Sequence, residues 1–158
     1  MRDIAGDAGL LAGSIYHHFP SKEVLLHDAY RAGVERVICA HDAAIAGQSD
    51  AWNRLEAACE AHLQSLLADD PLARLLSLDL RPLPPELRSK LVAERDRYET
   101  RFAAVVGAIG IPAGADERTA RMMLLGALNW TPVWYKRGGE SPRRISRAFV
   151  RLLRKGVS

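Results

Sequence analysis

Arg2-Asp3-Ile4-Ala5-Gly6-Asp7-Ala8-Gly9, followed by Gly13-Ser14-Ile15-Tyr16-His17-His18-Phe19-Pro20-Ser21-Lys22, reads as two short helices joined through a tight turn at Gly9. Ile4 and Ala8, then Ile15 and Phe19, fall at helical spacing, so each helix can bury one face against the other. The second helix is too short to be stable alone and needs that packing. Its outer face offers Ser14, Tyr16 and His17, hydrogen-bonding groups that suit phosphates and base edges in a major groove. Lys22 stands in the first turn of the next helix, where free backbone N–H groups and an ammonium together favour a phosphate. Two readings fit this pattern equally: a helix-turn-helix, or an ordinary helical hairpin with a polar outer face.

Outward from this segment the punctuation stays helical. Ala, Leu and Arg dominate a chain of 158 residues that is 48% hydrophobic, and runs of β-branched residues are scarce, so the expected fold class is all-α. Ser21 caps a long helix to about Ala46, with Val24, Leu25, Asp28, Ala29, Ala32, Val37 and Ile38 as its inner stripe and Gly47 as its stop. Asp50 caps a helix over about 51–68, and Asp70-Pro71 opens a short one over about 71–79. After Pro82, Pro84 and Pro85 a long helix runs over about 85–109. A nearly all-apolar helix follows over about 116–136, and Ser141-Pro142 starts the last. Pro132 predicts a kink near Thr131.

The opening segment resembles the helix-turn-helix of the TetR family of transcriptional regulators. The shared features are an R-D-I-A helix, a glycine turn, a G-[ST]-[LI]-Y-x-[HY]-F recognition helix and P-S-K-E leading onward, dense from Arg2 to Leu26. The resemblance implies that Ser14, Tyr16, His17 and Lys22 contact DNA phosphates, with His17 near a base and with Ala12 and Gly13 facing the groove. It also implies repression by a homodimer on a palindromic double-stranded operator, released by a small effector. The segment Asn129-Trp130-Thr131-Pro132-Val133-Trp134-Tyr135, with Gly138-Gly139 and Ser141-Pro142, resembles the C-terminal region of family members that regulate lipid and acyl-CoA catabolism. That implies a small hydrophobic effector, acyl-CoA or lipid-like.

Two departures matter. The family's helix before R-D-I-A is absent, so the expectation is an N-terminally truncated chain or a misassigned start codon. Leu10-Leu11-Ala12 also replaces the family's apolar-Ser-Lys approach to the recognition helix. This removes an N-cap worth about 0.5–2 kcal/mol and a basic contact. Operator binding is therefore expected to be weak or absent in this chain, and the alternative reading is a helical ligand-binding dimer that no longer binds DNA. The expected division is a partial DNA-binding domain with its linking helix over 1–46 and a ligand-binding and dimerisation domain over 47–158.

Helix 116–136 is apolar nearly all round, whereas a surface helix needs one apolar face. Met122, Leu125, Gly126 and Val133, joined by Phe149 and Leu152 of the last helix, are the expected homodimer face. An effector pocket is expected between the helices at 51–68, 85–109 and 116–136. Leu63, Leu66, Leu91, Tyr98, Phe102 and Leu124 are its candidate walls, with Glu94 and Asn129 as lone polar groups amid apolar neighbours. The competing account of Glu94 is a core ion pair with an arginine, and His62 reads as a satisfied structural histidine.

The net charge of +3 is concentrated at the far end, where Lys136 to Lys155 hold eight basic residues against Glu140. The first 28 residues hold Arg2 and Lys22 against four acids, so overall basicity does not mark the N-terminus as a DNA surface. Cys39 and Cys59 read as reduced, buried residues. Cys59 with His62, and Cys39 with His41, lack the paired spacing of a metal site, and no metal or cofactor is expected. No phosphate loop, nucleophile elbow or paired-acid motif is present, so no enzyme is expected. No apolar run reaches the roughly 18 residues of a membrane span, and no signal peptide opens the chain, so a cytoplasmic protein is expected.

Overall fold

A computed structural model describes residues 12–68, 70–111 and 116–156, and the expected helix over 2–8 lies outside them. The described residues form helices without strands: α1 (Ala12–His18), α2 (Lys22–Ala46), α3 (Ala51–Leu67), α4 (Pro71–Leu75), α5 (Pro85–Gly107), α6 (Glu117–Trp134) and α7 (Pro142–Gly156). The starts are set by side-chain caps. Ser21 accepts the Val24 N–H at 3.2 Å and Asp50 the Asn53 N–H at 2.9 Å. Asp116 accepts from Arg118 and Thr119, and Asp70 from Leu72. Pro85 takes the first position of α5, where its missing N–H costs nothing.

Helix α3 lies at the centre and packs against α2, α5, α6 and α7. Its Leu55, Ala58, Cys59 and Leu63 are fully buried, alongside Leu91, Phe102 and Val106 of α5 and Leu128 of α6. The inner face of α2 differs from the expected stripe. Val37 and Ile38 are buried as expected, but they are joined by Tyr30, Gly33, Val34 and His41, while Val24 and Ala32 are exposed. The face is set by what α2 packs against, namely α3, α4 and α5. Cys39 consequently points outward, contrary to expectation, and Cys59 is buried as expected. Helix α4 ends at Leu75 rather than near 79, and α6 continues through Pro132 to Trp134.

The crossing of α2 with α4 is set by Gly33. A Cβ built there would meet the Leu72 carbonyl oxygen at 2.8 Å, a contact with backbone that no rotamer change relieves. The Arg36–Asp70 ion pair at 2.8 Å holds the same junction. Gly33→Ala is expected to push α4 off α2 at a cost of about 1–3 kcal/mol. Urea unfolding checks this, and an unchanged midpoint would show that the junction is loose.

Candidate functional site

Between α2, α3, α5 and α6 lies a cavity of about 90 Å³. Tyr30, Val34 and Val37 of α2, Leu66 of α3, Leu76 after α4 and Leu125 of α6 supply its apolar wall. The polar part is compact. His62 Nδ1 lies 2.7 Å from the Tyr98 hydroxyl, and His62 Nε2 lies 3.0 Å from the Asn129 carboxamide oxygen. With that oxygen facing the ring, Nε2–H donates to Asn129 and Nδ1 accepts from the Tyr98 O–H. The His62 and Tyr98 rings are stacked at 5.5 Å, and the His41 ring meets Tyr98 edge-on at 5.7 Å.

Burial keeps this cluster neutral. It pushes the His62 imidazole down to about 4, with the nearby His41 acting the same way and the Asn129 bond opposing, and it pushes the Tyr98 phenol up. Neutral hydrogen-bonding groups on an apolar wall suit a carbonyl, hydroxyl or amide carried on a hydrocarbon body. Arg95 and Glu99 of α5 and Ser65 of α3 also line the cavity. Among the described residues no group of three or more His, Cys, Asp or Glu is arranged to hold a metal ion.

Of the expected pocket residues, Leu66, Tyr98 and Asn129 do line the cavity. Leu63, Leu91, Phe102 and Leu124 stand behind it, buried in the core. Glu94 is placed elsewhere. It pairs with Arg97 at 2.7 Å and faces His27 at 3.8 Å, an ion pair with an arginine as the competing account had it, but at the surface rather than in the core. Sequence reading missed the α2 wall and the role of His62. His62 is satisfied by two bonds, as expected of a structural histidine, yet it also faces the cavity. The available signal was a histidine bordering the stripe of one helix and an asparagine alone on another.

At the N-terminal end, Tyr16, His17 and Lys22 are exposed on α1 and the start of α2, with His17 and His18 in edge-on contact at 5.3 Å. Among the described residues no heavy atom lies within 4 Å of where a Cβ on Gly13 would stand. Ala12 and Ser14 lie on the same helix. On α6, Met122, Gly126 and Val133 are exposed as expected of a partner face, and Leu152 of α7 with them. Leu125 instead turns inward to the cavity and Phe149 is half-buried, since each sits on the line of its helix that meets a neighbour in the core.

The family described as the tetracyclin repressor-like C-terminal domain matches residues 48–157, and the bacterial regulatory proteins of the tetR family match residues 1–29. The chain belongs to the TetR family. It is a transcriptional regulator of that all-helical family. The HTH-type transcriptional repressor KstR2 of Mycobacterium tuberculosis is 24% identical over 172 residues, covering 100% of this chain and 82% of the repressor. FadR from Bacillus subtilis, solved in complex with stearoyl-CoA, is 25% identical with a TM-score of 0.77, covering 98% of this chain and 87% of that one. PfiT, described as a superantigen, is 29% identical with a TM-score of 0.80, covering 96% of this chain and 82% of that one. No helix among the described residues is long and apolar enough to cross a membrane.

Proposed function

We propose that this chain is a cytoplasmic repressor that holds a palindromic operator as a homodimer and is released by a small effector of acyl-CoA or lipid-like character. One observation carries the effector half: a neutral His62–Tyr98–Asn129 cluster in a mostly apolar cavity that Arg95, Glu99 and Ser65 also line. Helix α2 supplies part of that cavity's wall and also runs directly on from the reading helix α1. An occupant that displaces Tyr30, Val34 or Val37 therefore moves the helix that carries α1. Such a shift takes the two recognition helices of a dimer off the spacing of about 34–36 Å that one turn of DNA requires. The FadR–stearoyl-CoA complex supports the effector class. In this reading residues 1–46 serve DNA and, through Tyr30, Val34 and Val37, also the effector, residues 47–158 serve effector and partner, and no chemistry is done on the effector.

The volume narrows the class. Ligand pockets usually enclose about 300–1,000 Å³, and this cavity encloses about 90 Å³. A short or branched acyl group fits with the least rearrangement, its carbonyl on the polar cluster and its carrier outside. A thermal-shift series of acyl-CoAs from short to long chains, with the matching free acids, tests this. A binder at a hundred times its dissociation constant is expected to raise Tm by about 5–10 °C, and His62→Gln should remove the shift. If no compound raises Tm, effector sensing by this cavity is wrong.

DNA binding has its own test. Tyr16→Ala and Lys22→Ala are expected to weaken operator binding about equally on all sequences, with Lys22→Ala lowering the salt slope by about one counterion. Gel shifts on operator and unrelated duplexes over a range of salt measure it. Absence of binding to any duplex would favour the reading as a ligand-binding dimer alone.

A further inference from the structure

The cavity has a second set of polar groups besides the neutral cluster. Tyr30 of α2 lines it and is 1% exposed, yet among the described residues its hydroxyl has no hydrogen-bond partner. A buried hydroxyl without a partner is costly unless an occupant supplies one. Arg95 of α5 lines the same cavity. Its carboxylate neighbours Glu99 and Asp96 stand at 3.5 and 3.9 Å, and it makes no hydrogen bond among the described residues. Two positions on, Arg97 donates to Glu94 at 2.7 Å and to Glu35 at 2.9 Å, so a committed arginine on this helix looks different. Tyr30 and Arg95 belong to one cluster. Burial pushes the Tyr30 phenol up, the Arg95 charge works against that, and the charges of Asp96 and Glu99 add to it.

We propose that Tyr30 and Arg95 form an anion-reading subsite of the cavity, so that the effector carries a carboxylate or phosphate besides the group held by the His62 cluster. This rests on the effector reading proposed above. The planar guanidinium offers paired N–H donors to two anion oxygens, and the protonated phenol offers one more. Glu99 is the resident competitor. It stands beside Arg95 and lines the same cavity. A neutral ligand leaves that pair alone, whereas an anion takes the guanidinium from Glu99 and is repelled by its carboxylate. The preference for anions is therefore set by Tyr30 and Arg95 on one side and Glu99 on the other.

The subsite also has a place in the signal. Tyr30, Val34 and Val37 follow at spacings of four and three on one line of α2, and Tyr30 is the one nearest α1. An anion held between Tyr30 and Arg95 ties α2 to α5 at the end that carries the reading helix.

Calorimetric titration tests this with butanoate and hexanoate, each as the free acid, the coenzyme A thioester and the neutral N-acetylcysteamine thioester. The readout is the ratio of affinities for anionic and neutral forms. Arg95→Met and Tyr30→Phe are each expected to lower that ratio roughly tenfold or more. Glu99→Gln is expected to raise it roughly threefold or more. The Arg95 side chain is 47% exposed and Tyr30→Phe removes only an unbonded hydroxyl, so both variants should fold. A merely structural role would weaken all forms together and leave the ratio unmoved. A ratio that falls for the free acids alone assigns the subsite to a carboxylate on the effector, and one that falls for the coenzyme A thioesters alone assigns it to the carrier's phosphates. A ratio unmoved by all three changes, or a wild type that binds only the neutral thioesters, would overturn the subsite and leave the effector reading standing. A wild type that binds none of these compounds would overturn the effector reading, and the subsite with it.

Discussion

Phe102→Ala is expected to destabilise the chain by about 3–5 kcal/mol, the largest loss of any single substitution considered. Phe102 is fully buried, and its ring touches His41, His62 and Tyr98. Its removal takes away the floor on which the polar cluster rests. The surrounding side chains come from α2, α3 and α5, which are tied to one another, so the void should collapse poorly. Urea unfolding gives the number. A loss below about 1 kcal/mol would mean that the helices close over the gap. Such a variant should also accept bulkier acyl groups, because the space vacated lies next to the cavity.

The second large effect is on acid stability. Burial holds His62 at about 4, below its ordinary 6.5, so the unfolded chain takes up the proton first. The neutral ring's contribution is therefore complete above about pH 6.5. It falls as the pH drops from there to about 4, and no further loss comes from this group below that. The shift corresponds to something on the order of 3 kcal/mol. Carboxylates also titrate in this window, so the comparison that matters is with His62→Gln, whose side chain has no such proton. The wild type should lose more stability than the variant between pH 7 and pH 4. Parallel curves for the two proteins would show that His62 is charged in the folded state or reached by water.

The helices themselves were legible because their boundaries are written locally. Ser21, Asp50 and Asp70 are caps that act within three residues, and Pro85 and Pro142 act at their own positions. The family resemblance was legible for the same reason, since the motif from Arg2 to Leu26 is contiguous. The site was legible only in part. His62 meets Tyr98 36 positions away and Asn129 67 positions away, and no local pattern specifies that three helices bring these groups together. On α2, two candidate lines carry apolar residues at similar spacing, and the choice between them depends on α3, α4 and α5. Leu125 and Asn129 show the same limit. On a helix apolar on both sides, periodicity cannot say which side faces inward.

The two cysteines make the protein its own stopwatch. Cys39 is exposed and should react with an alkylating reagent at once, whereas Cys59 sits sealed on the central helix with its thiol pushed up by burial. Cys59 can be modified only when α3 parts from its neighbours, so the slow phase of native-state alkylation reports how often the core opens. An effector that binds only the closed form would lengthen that phase by one plus its concentration over its dissociation constant. Candidate effectors could thus be ranked on the unlabelled natural chain, without DNA and without an engineered probe.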